Sequence, residues 1–267
     1  MLIRYGYDIT ITCAQDTPMI CMMSARDERR DDVRVQAGVL TEPAVATSVY
    51  RDMFGNACRR LVAPAGVFRL KEDTTILSSD LPDAVEPWLR EMPVAALPDE
   101  VVVFLLGSRY CETDRLSQMA WDMFGQVPPG HARVQAICDY VHNHIRFDYM
   151  AARVTRTAYE AWQEGTGVCR DFAHLAVALC RCMNIPTRYV NGYLGDIGVP
   201  VTGPGDFAAW TEVYLDGAWR TFDPRNNIPR LGRIVVSYGR DAADVPLIHS
   251  FGPHVLQTFT IWADRVG

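Results

Sequence analysis

The sequence predicts an α+β fold of two modules, a β-sandwich-like one over residues 1–105 and a helix-and-sheet one over residues 106–267. Two observations support this division. Up to about residue 105, apolar residues alternate with polar ones in short runs, whereas from about residue 108 they follow helical spacing. Further along, one long helical run precedes a hairpin of strands, the order expected where a helix packs on an antiparallel sheet.

The first module is predicted from period-2 patterns. Residues 3–12 alternate along one strand, and shorter runs follow at residues 33–39, 57–63 and 67–70. Gly, Pro, Asp and Asn separate these runs, so short antiparallel strands in a sandwich are expected. This module contains no group of residues that resembles a catalytic constellation. Prolines at 82, 87, 93 and 98 then mark irregular chain.

Two helices open the second module. Residues 114–124 and 132–145 carry helical spacing, and the breaker Val-Pro-Pro-Gly at residues 127–130 separates them. His142 and His144 lie near the end of the second helix, where the helix dipole favours histidine. We therefore interpret both as helix-end or surface residues and not as ligands.

The most informative stretch is Gly165 to Leu179, GTGVCRDFAHLAVAL, which predicts a loop that turns into a buried helix. Cys169 falls in the first turn, where unpaired N–H groups and the helix dipole favour a thiolate. Gly165 and Gly167 leave room for a substrate backbone. The alternative for any single cysteine is packing as a small apolar residue.

A three-stranded sheet is expected after this helix. Asn184-Ile185-Pro186 ends the helix because proline disfavours helical backbone in the residue before it. Residues 188–193 form a strand, a Gly- and Pro-rich loop runs to residue 205, and strands at 209–215 and 219–223 pair through an Asp-Gly turn. Asp223 ends the third strand before Pro224, a position where aspartate also serves as an ordinary turn residue.

Four segments in this order resemble the transglutaminase-like superfamily: GVCRDFAHL, IPTRYVNGYL, AWTEVYL and FDPRNN. These are papain-like thiol enzymes with a Cys–His–Asp triad, and the resemblance covers roughly residues 110–230. The β-rich N-terminal part and residues 239–245 are similar to a bacterial branch that carries an additional N-terminal domain. The resemblance implies a core in which the cysteine helix packs on the antiparallel sheet.

The resemblance also implies a role for each site residue. Cys169 would attack an amide carbonyl to form a thioester, and Asp223 would orient the imidazole. The backbone N–H of Cys169 would help to hold the oxyanion. The other expected oxyanion or cleft residues are Trp162, Gln163, Gly167 and Trp210.

The triad histidine is missing. The family places it immediately before Ala-Trp, and the residue there is Ala208, which cannot accept a proton. Three explanations stay open: a naturally degenerate enzyme, an engineered inactive variant, or an enzyme that uses another histidine. His174 is expected to point elsewhere on its helix, which leaves His249 and His254 as substitutes.

Composition and charge limit the partners, cofactors and cellular compartment that we expect for this chain. The 267 residues carry a net charge of −6 and no Lys/Arg-rich run, which argues against nucleic acid or membrane partners. Eight cysteines without paired C-x-x-C spacing argue against zinc, and no cofactor is expected. Reduced thiols and the lack of a signal-peptide pattern favour the cytoplasm. The oligomeric state is left open.

Three functions compete on this evidence. The first is a thiol enzyme acting on amide bonds of peptides or proteins, as a hydrolase or by acyl transfer. The second is a catalytically inactive homologue whose cleft binds a peptide or protein segment. The third is a structural role for the β-rich module. Cys169 and Asp223 favour the first two functions over the third. Ala208 favours the binding homologue over the enzyme.

Overall fold

The computed structural model describes residues 1–201, 203 and 205–267. Thr202 and Pro204, in the predicted Gly- and Pro-rich loop, lie outside the described residues. The strands are β1 (Leu2–Cys13), β2 (Thr17–Cys21), β3 (Val33–Gln36), β4 (Leu40–Glu42), β5 (Ser48–Arg51), β6 (Ala57–Ala63), β7 (Gly66–Leu77), β8 (Arg146–Phe147), β9 (Thr166–Gly167), β10 (Thr187–Tyr193), β11 (Phe207–Leu215), β12 (Ala218–Phe222), β13 (Ile234–Gly239), β14 (Ile248–Ser250) and β15 (His254–Val266). The helices are α1 (Asp99–Val102), α2 (Thr113–Phe124), α3 (His131–His144), α4 (Ala158–Glu164) and α5 (Cys169–Cys182).

Two antiparallel sheets form the β-rich part of the molecule. One has the order β15-β1-β7-β3, with β4 also paired to β7, and the other has the order β14-β2-β6-β5. Alternate side chains of β1, among them Ile9 and Ile11, are fully buried. They share one apolar cluster with Met19 and Leu61 of the second sheet. The fold class, α+β with antiparallel sheets, is therefore confirmed.

The C-terminal strands return to this β-rich part and pair with its first two strands. Along its whole length β15 pairs with β1, and β14 pairs with β2. Strand β1 consequently has hydrogen-bonded neighbours on both edges, β7 and β15. Pairing between strands some 250 residues apart leaves no local mark in the sequence, so this return of the chain was not predicted.

The second part packs helices on the sheet β12-β11-β10-β13. Helix α5 is buried on all sides, with no exposed residue from Asp171 to Cys182, as in a helix at the centre of a core. It ends at Cys182, as predicted, and Asn184 follows with a positive φ of 61°. The predicted second and third strands of this part match β11 and β12 within two residues.

The sheet β12-β11-β10-β13 also packs on the two sheets of the β-rich part. Tyr193 of β10, Phe207 of β11 and Ile234 of β13 join the apolar cluster of the β-rich part. The Tyr193 hydroxyl donates to the Met23 carbonyl at 2.7 Å. These contacts fix the ends of β10 and β11 that carry the candidate site. Within the described ranges, no helix is both long and apolar enough to cross a membrane.

Candidate active site

Cys169 is the first residue of α5 and lies in a cleft. It is partly exposed, whereas the other seven cysteines are buried. Its Sγ points to the Phe207 carbonyl at 4.0 Å, and the amide of Ala209 donates a hydrogen bond to the sulfur. Residue 208 lies between these two backbone contacts, and Ala208 lines the same cleft. The structure therefore brings the predicted nucleophile and the predicted histidine position together.

The start of α5 is held by a buried carboxylate that the sequence analysis did not identify. Asp171 accepts hydrogen bonds from the Val168 amide at 2.8 Å and from Arg156 Nη1 at 3.1 Å. A Cβ on Gly167 would lie only 2.5 Å from Asp171 Oδ2. Gly167 is thus a glycine because the Asp171 side chain occupies the space beside it. Gly167 was expected to line the cleft, but it does not.

Burial and two nearby carboxylates oppose ionisation of the Cys169 thiol. Burial raises the pKa of Cys169 to about 11, and the nearby charges of Asp206 and Asp223 also raise it. The Ala209 amide and Arg225 act in the opposite direction but do not offset burial. Burial therefore opposes the thiolate that the helix terminus is expected to favour.

Asp223 follows the last residue of β12 and is fully supplied with donors. Its Oδ1 accepts from the backbone amides of Arg225 and Asn226, and its Oδ2 from Asn226 Nδ2 at 2.7 Å and Arg233 Nη2 at 2.8 Å. Burial alone would raise the pKa of Asp223, but Arg233 and the Asn226 hydrogen bonds outweigh it and hold the pKa below its usual value. The carboxylate is charged, and both of its oxygens already accept hydrogen bonds.

Arg233 connects Asp223 to the chain between the two parts of the molecule. Its guanidinium pairs with Asp83 at 2.8 Å on one side and with Asp223 at 2.8 Å on the other. It also lies 4.9 Å from the ring centroid of Trp210, which is fully buried. Trp210 therefore supports the site from beneath and does not line the cleft. Nothing in the sequence singled out Arg233.

The two expected oxyanion donors lie elsewhere. The Trp162 indole donates to the Tyr140 hydroxyl at 2.9 Å. The Gln163 amide is exposed and donates to the Tyr159 hydroxyl. Neither residue lines the cleft, because Trp162 is directed to α3 and Gln163 lies on the exposed surface of α4. The remaining donor expected at the oxyanion, the backbone N–H of Cys169, lies at the start of α5 beside the cleft.

The histidines of α5 and of the tail do not replace the missing base. His174 is fully buried and its Nε2 accepts from the Ala242 amide at 3.1 Å. Burial holds its pKa well below the usual value, so the ring is neutral. His254, the first residue of β15, lies with its Nδ1 2.8 Å from the Ser250 hydroxyl oxygen. His249 of β14 pairs with Ile20 of β2. Neither of these tail histidines lines the cleft.

The histidines of α3 are bonded to backbone carbonyls. His142 Nδ1 lies 2.9 Å from the Arg225 carbonyl, and His144 Nε2 lies 2.6 Å from the Trp162 carbonyl. Their helix-end interpretation agrees with these contacts. Since His131 also lies outside the cleft, none of the six histidines, all of them within the described part of the chain, faces Cys169. The described residues also contain no group of side chains that could hold a metal ion.

The cleft walls come from three distant segments. Phe147 and Tyr149 follow α3, Asp206 and Arg225 flank the β11–β12 hairpin, and Ile261 belongs to β15. The space between them measures about 820 Å³. Phe147 and Tyr149 were not predicted as cleft residues, although two aromatic residues in a short connection after a helix are a usable signal. Strand β15 was not predicted either, because residues 254–260 are all exposed and lack clear alternation.

Comparison with known proteins agrees with this geometry. Residues 118–224 match the transglutaminase-like superfamily. An uncharacterized protein of Mycobacterium leprae is 37% identical over 106 residues, which cover 38% of this chain and 38% of that relative's length. An uncharacterized protein of Mycobacterium tuberculosis is 27% identical over 227 residues, covering 77% of this chain and 72% of the relative.

A solved structure extends the likeness to the whole chain. The crystal structure of a candidate cysteine protease from Cytophaga hutchinsonii superposes with a TM-score of 0.86 and 28% sequence identity. The superposition covers 99% of this chain and 90% of the other. The match therefore includes the β-rich part as well as the segment that carries Cys169, Ala208 and Asp223.

Proposed function

Because residues 118–224 form a transglutaminase-like core, we propose that the cleft binds a peptide or protein segment while Cys169 leaves its amide bonds largely uncleaved. One observation carries the proposal. Ala208 occupies the position beside the sulfur where an imidazole would act, and no histidine of the described chain replaces it. The protein is then a binding homologue of the thiol enzymes it resembles.

The cleft walls favour a polypeptide ligand. Phe147 and Tyr149 offer apolar surface, while the backbone around Phe207 and Gly205 offers main-chain polar groups. One basic residue, Arg225, lines the cleft against four acidic ones, Asp148, Asp196, Asp206 and Asp264, so a neutral or basic segment fits better than an acidic one.

Restoring the base tests the proposal. Ala208→His should raise the rate of Cys169 alkylation by iodoacetamide at pH 7 at least tenfold, because an imidazole beside the sulfur stabilises the thiolate. Ala208→Asn is the matched control, since asparagine has a similar size but does not titrate. Peptide mapping after labelling separates Cys169 from the seven buried cysteines.

The outcome that contradicts the proposal is also defined. If the unchanged chain hydrolyses a fluorogenic peptide amide, Cys169→Ala abolishes that turnover and Ala208→His leaves it unchanged, the protein is an active enzyme with another base. Equal labelling of the His and Asn variants would mean that residue 208 does not control the thiol.

The alternative is a slow cysteine hydrolase or acyltransferase. The retention of Cys169 at the helix start and of a charged Asp223 favours it. In thiol and serine enzymes, binding and the oxyanion site alone leave roughly 10³–10⁴-fold acceleration over water. Slow turnover of a thioester substrate that requires Cys169 would support this alternative.

A further inference from the structure

Arg225 places a half-buried cation in the wall of the cleft. Its guanidinium carbon lies over the ring of Phe147, 4.2 Å from the ring centroid. A guanidinium and an aromatic face attract each other at this distance. Phe147 in turn meets Tyr149 edge to face, with the ring centroids 4.8 Å apart. Arg225, Phe147 and Tyr149 therefore form one continuous stretch of the cleft wall.

The backbone of Arg225 is fixed from two sides. Its amide donates to Asp223 Oδ1 at 3.1 Å, and its carbonyl oxygen lies 2.9 Å from His142 Nδ1. The main chain is thus tied to the end of β12 and to α3, while Phe147 holds the guanidinium. A side chain that is already in place loses little conformational entropy when a ligand binds to it.

The carboxylates of the cleft do not neutralise this cation. In the described part of the chain, no ion pair or hydrogen bond uses the Arg225 guanidinium, and three of the four acidic cleft residues have other partners. Asp148 lies 3.8 Å from Arg146, Asp196 pairs with Arg230 at 3.2 Å, and Asp206 accepts from the next backbone amide at 2.7 Å. Asp264 is exposed to water. The cation therefore stays unpaired although the cleft is acidic.

Three other arginines that are buried or half-buried each have an anion beside them. Arg133, Arg188 and Arg220 pair with glutamates. Removal of a charged group from water is costly unless an opposite charge or hydrogen bonds replace the lost hydration. The described chain supplies neither to the Arg225 guanidinium, so its N–H groups are free to bind an anion.

Arg225 also lies close to the sulfur of Cys169. Both residues line the same cleft. The positive charge of Arg225 lowers the pKa of the thiol, against the larger effect of burial. A ligand that is held by Arg225 therefore brings a neighbouring part of its chain to Cys169.

We propose that Arg225 binds a carboxylate of the polypeptide ligand beside Cys169. The proposal rests on the proposed function and names the group that the ligand presents. A guanidinium matches a carboxylate through two parallel N–H···O bonds, which makes arginine the usual residue for this recognition. The carboxylate is either the C-terminus of the ligand or an aspartate or glutamate side chain. The rest of the segment is neutral or basic, because the four acidic residues of the cleft repel further negative charge.

Matched electrophilic peptides test the proposal, because a chloroacetyl group alkylates the thiol of Cys169. The first pair is N-chloroacetyl-dialanine with a free C-terminal carboxylate and the same peptide with a C-terminal amide. The second pair has an amidated C-terminus and ends in aspartate or in asparagine. In the unchanged chain we expect the carboxylate member of one pair to label Cys169 at least about tenfold faster than its neutral partner. The pair that shows the preference identifies the source of the carboxylate.

Substitutions of Arg225 connect the preference to its side chain. Arg225→Gln should reduce the rate ratio to about one, while Arg225→Lys should keep part of it because the charge remains. Only the ratio within each variant is compared, since a change in thiol ionisation affects both members of a pair equally. Arg265→Gln is the matched control: Arg265 of β15 is exposed, follows the cleft residue Asp264 and does not line the cleft. It should leave the ratio unchanged.

Two results overturn the proposal. One is equal rates within both pairs in the unchanged chain, and the other is a preference that persists in Arg225→Gln. Neither result depends on whether the chain cleaves amide bonds. The proposed function is judged separately, by cleavage of the fluorogenic peptide and by saturation of Cys169 labelling with the neutral peptides, so the failure of each is seen in a different measurement.

Discussion

Two buried carboxylates, Asp171 and Asp223, support the site from opposite ends. They differ in the number of hydrogen bonds that each one accepts. Asp171 binds the Val168 amide and Arg156 through one oxygen, while its Oδ1 has no partner among the described residues. Asp223 receives four hydrogen bonds from Arg225, Asn226 and Arg233. Burial raises the pKa of Asp171, whereas the pKa of Asp223 is lowered despite burial.

The comparison shows that the two ends of the site are held in different ways. The Asp171 end positions the helix start that carries Cys169. The Asp223 end holds a charged carboxylate whose oxygens are bonded to structural partners. Ala208 lines the cleft beside Cys169, and burial raises the pKa of the thiol to about 11. Both ends of the site are therefore held by hydrogen bonds that do not involve residue 208.

Removal of Arg233 should have the largest effect. Arg233→Ala leaves both Asp223 and Asp83 without their shared buried cation. We expect the free energy of unfolding in urea to fall by about 3–5 kcal/mol. Arg4→Ala removes an exposed pair with Asp73 and should cost less than about 1 kcal/mol. Equal losses in the two variants would contradict the structural role of Arg233.

A methyl group at Gly167 should destabilise the Asp171 end of the site, at the start of α5. Gly167→Ala places a Cβ about where the Asp171 carboxylate lies, 2.5 Å from Oδ2. We expect a loss of about 1–3 kcal/mol in the free energy of unfolding. Gly203→Ala is the control, because a Cβ there meets no described atom within 4 Å. A neutral Gly167→Ala would show that the helix start does not depend on this contact.

The sequence predicted some of this arrangement and not the rest, for physical reasons. Cys169, Ala208 and Asp223 lie in local patterns, a helix start and a hairpin, so their elements were predictable. Arg233 and Asp83 are 150 residues apart in sequence, and their pairing depends on the fold as a whole. Gly167 was predictable as a special position, but its reason required the location of the Asp171 side chain.

The two carboxylates should respond to pH in opposite ways. For Asp171 the folded pKa is raised above 3.8, so its contribution is full below 3.8 and is lost as the pH rises through the folded pKa. For Asp223 the folded pKa is lowered, so its contribution is present above 3.8 and is lost as the pH falls through the folded pKa.

Urea unfolding between pH 3 and 7 measures this contrast. The stability advantage of the unchanged chain should shrink with rising pH when compared with Asp171→Asn, and grow when compared with Asp223→Asn. Each slope is limited to about 1.4 kcal/mol per pH unit. Slopes of the same sign would mean that the two carboxylates do not differ as described.

The most direct measurement is the pKa of the Cys169 thiol in the unchanged chain. It is obtained from the pH dependence of iodoacetamide alkylation at Cys169, followed by mass spectrometry. Because burial dominates and no imidazole faces the sulfur, the rate should rise with pH towards an inflection near 11. An inflection at or below about pH 7 would show an activated thiol and contradict the claim that Ala208 leaves Cys169 without a base.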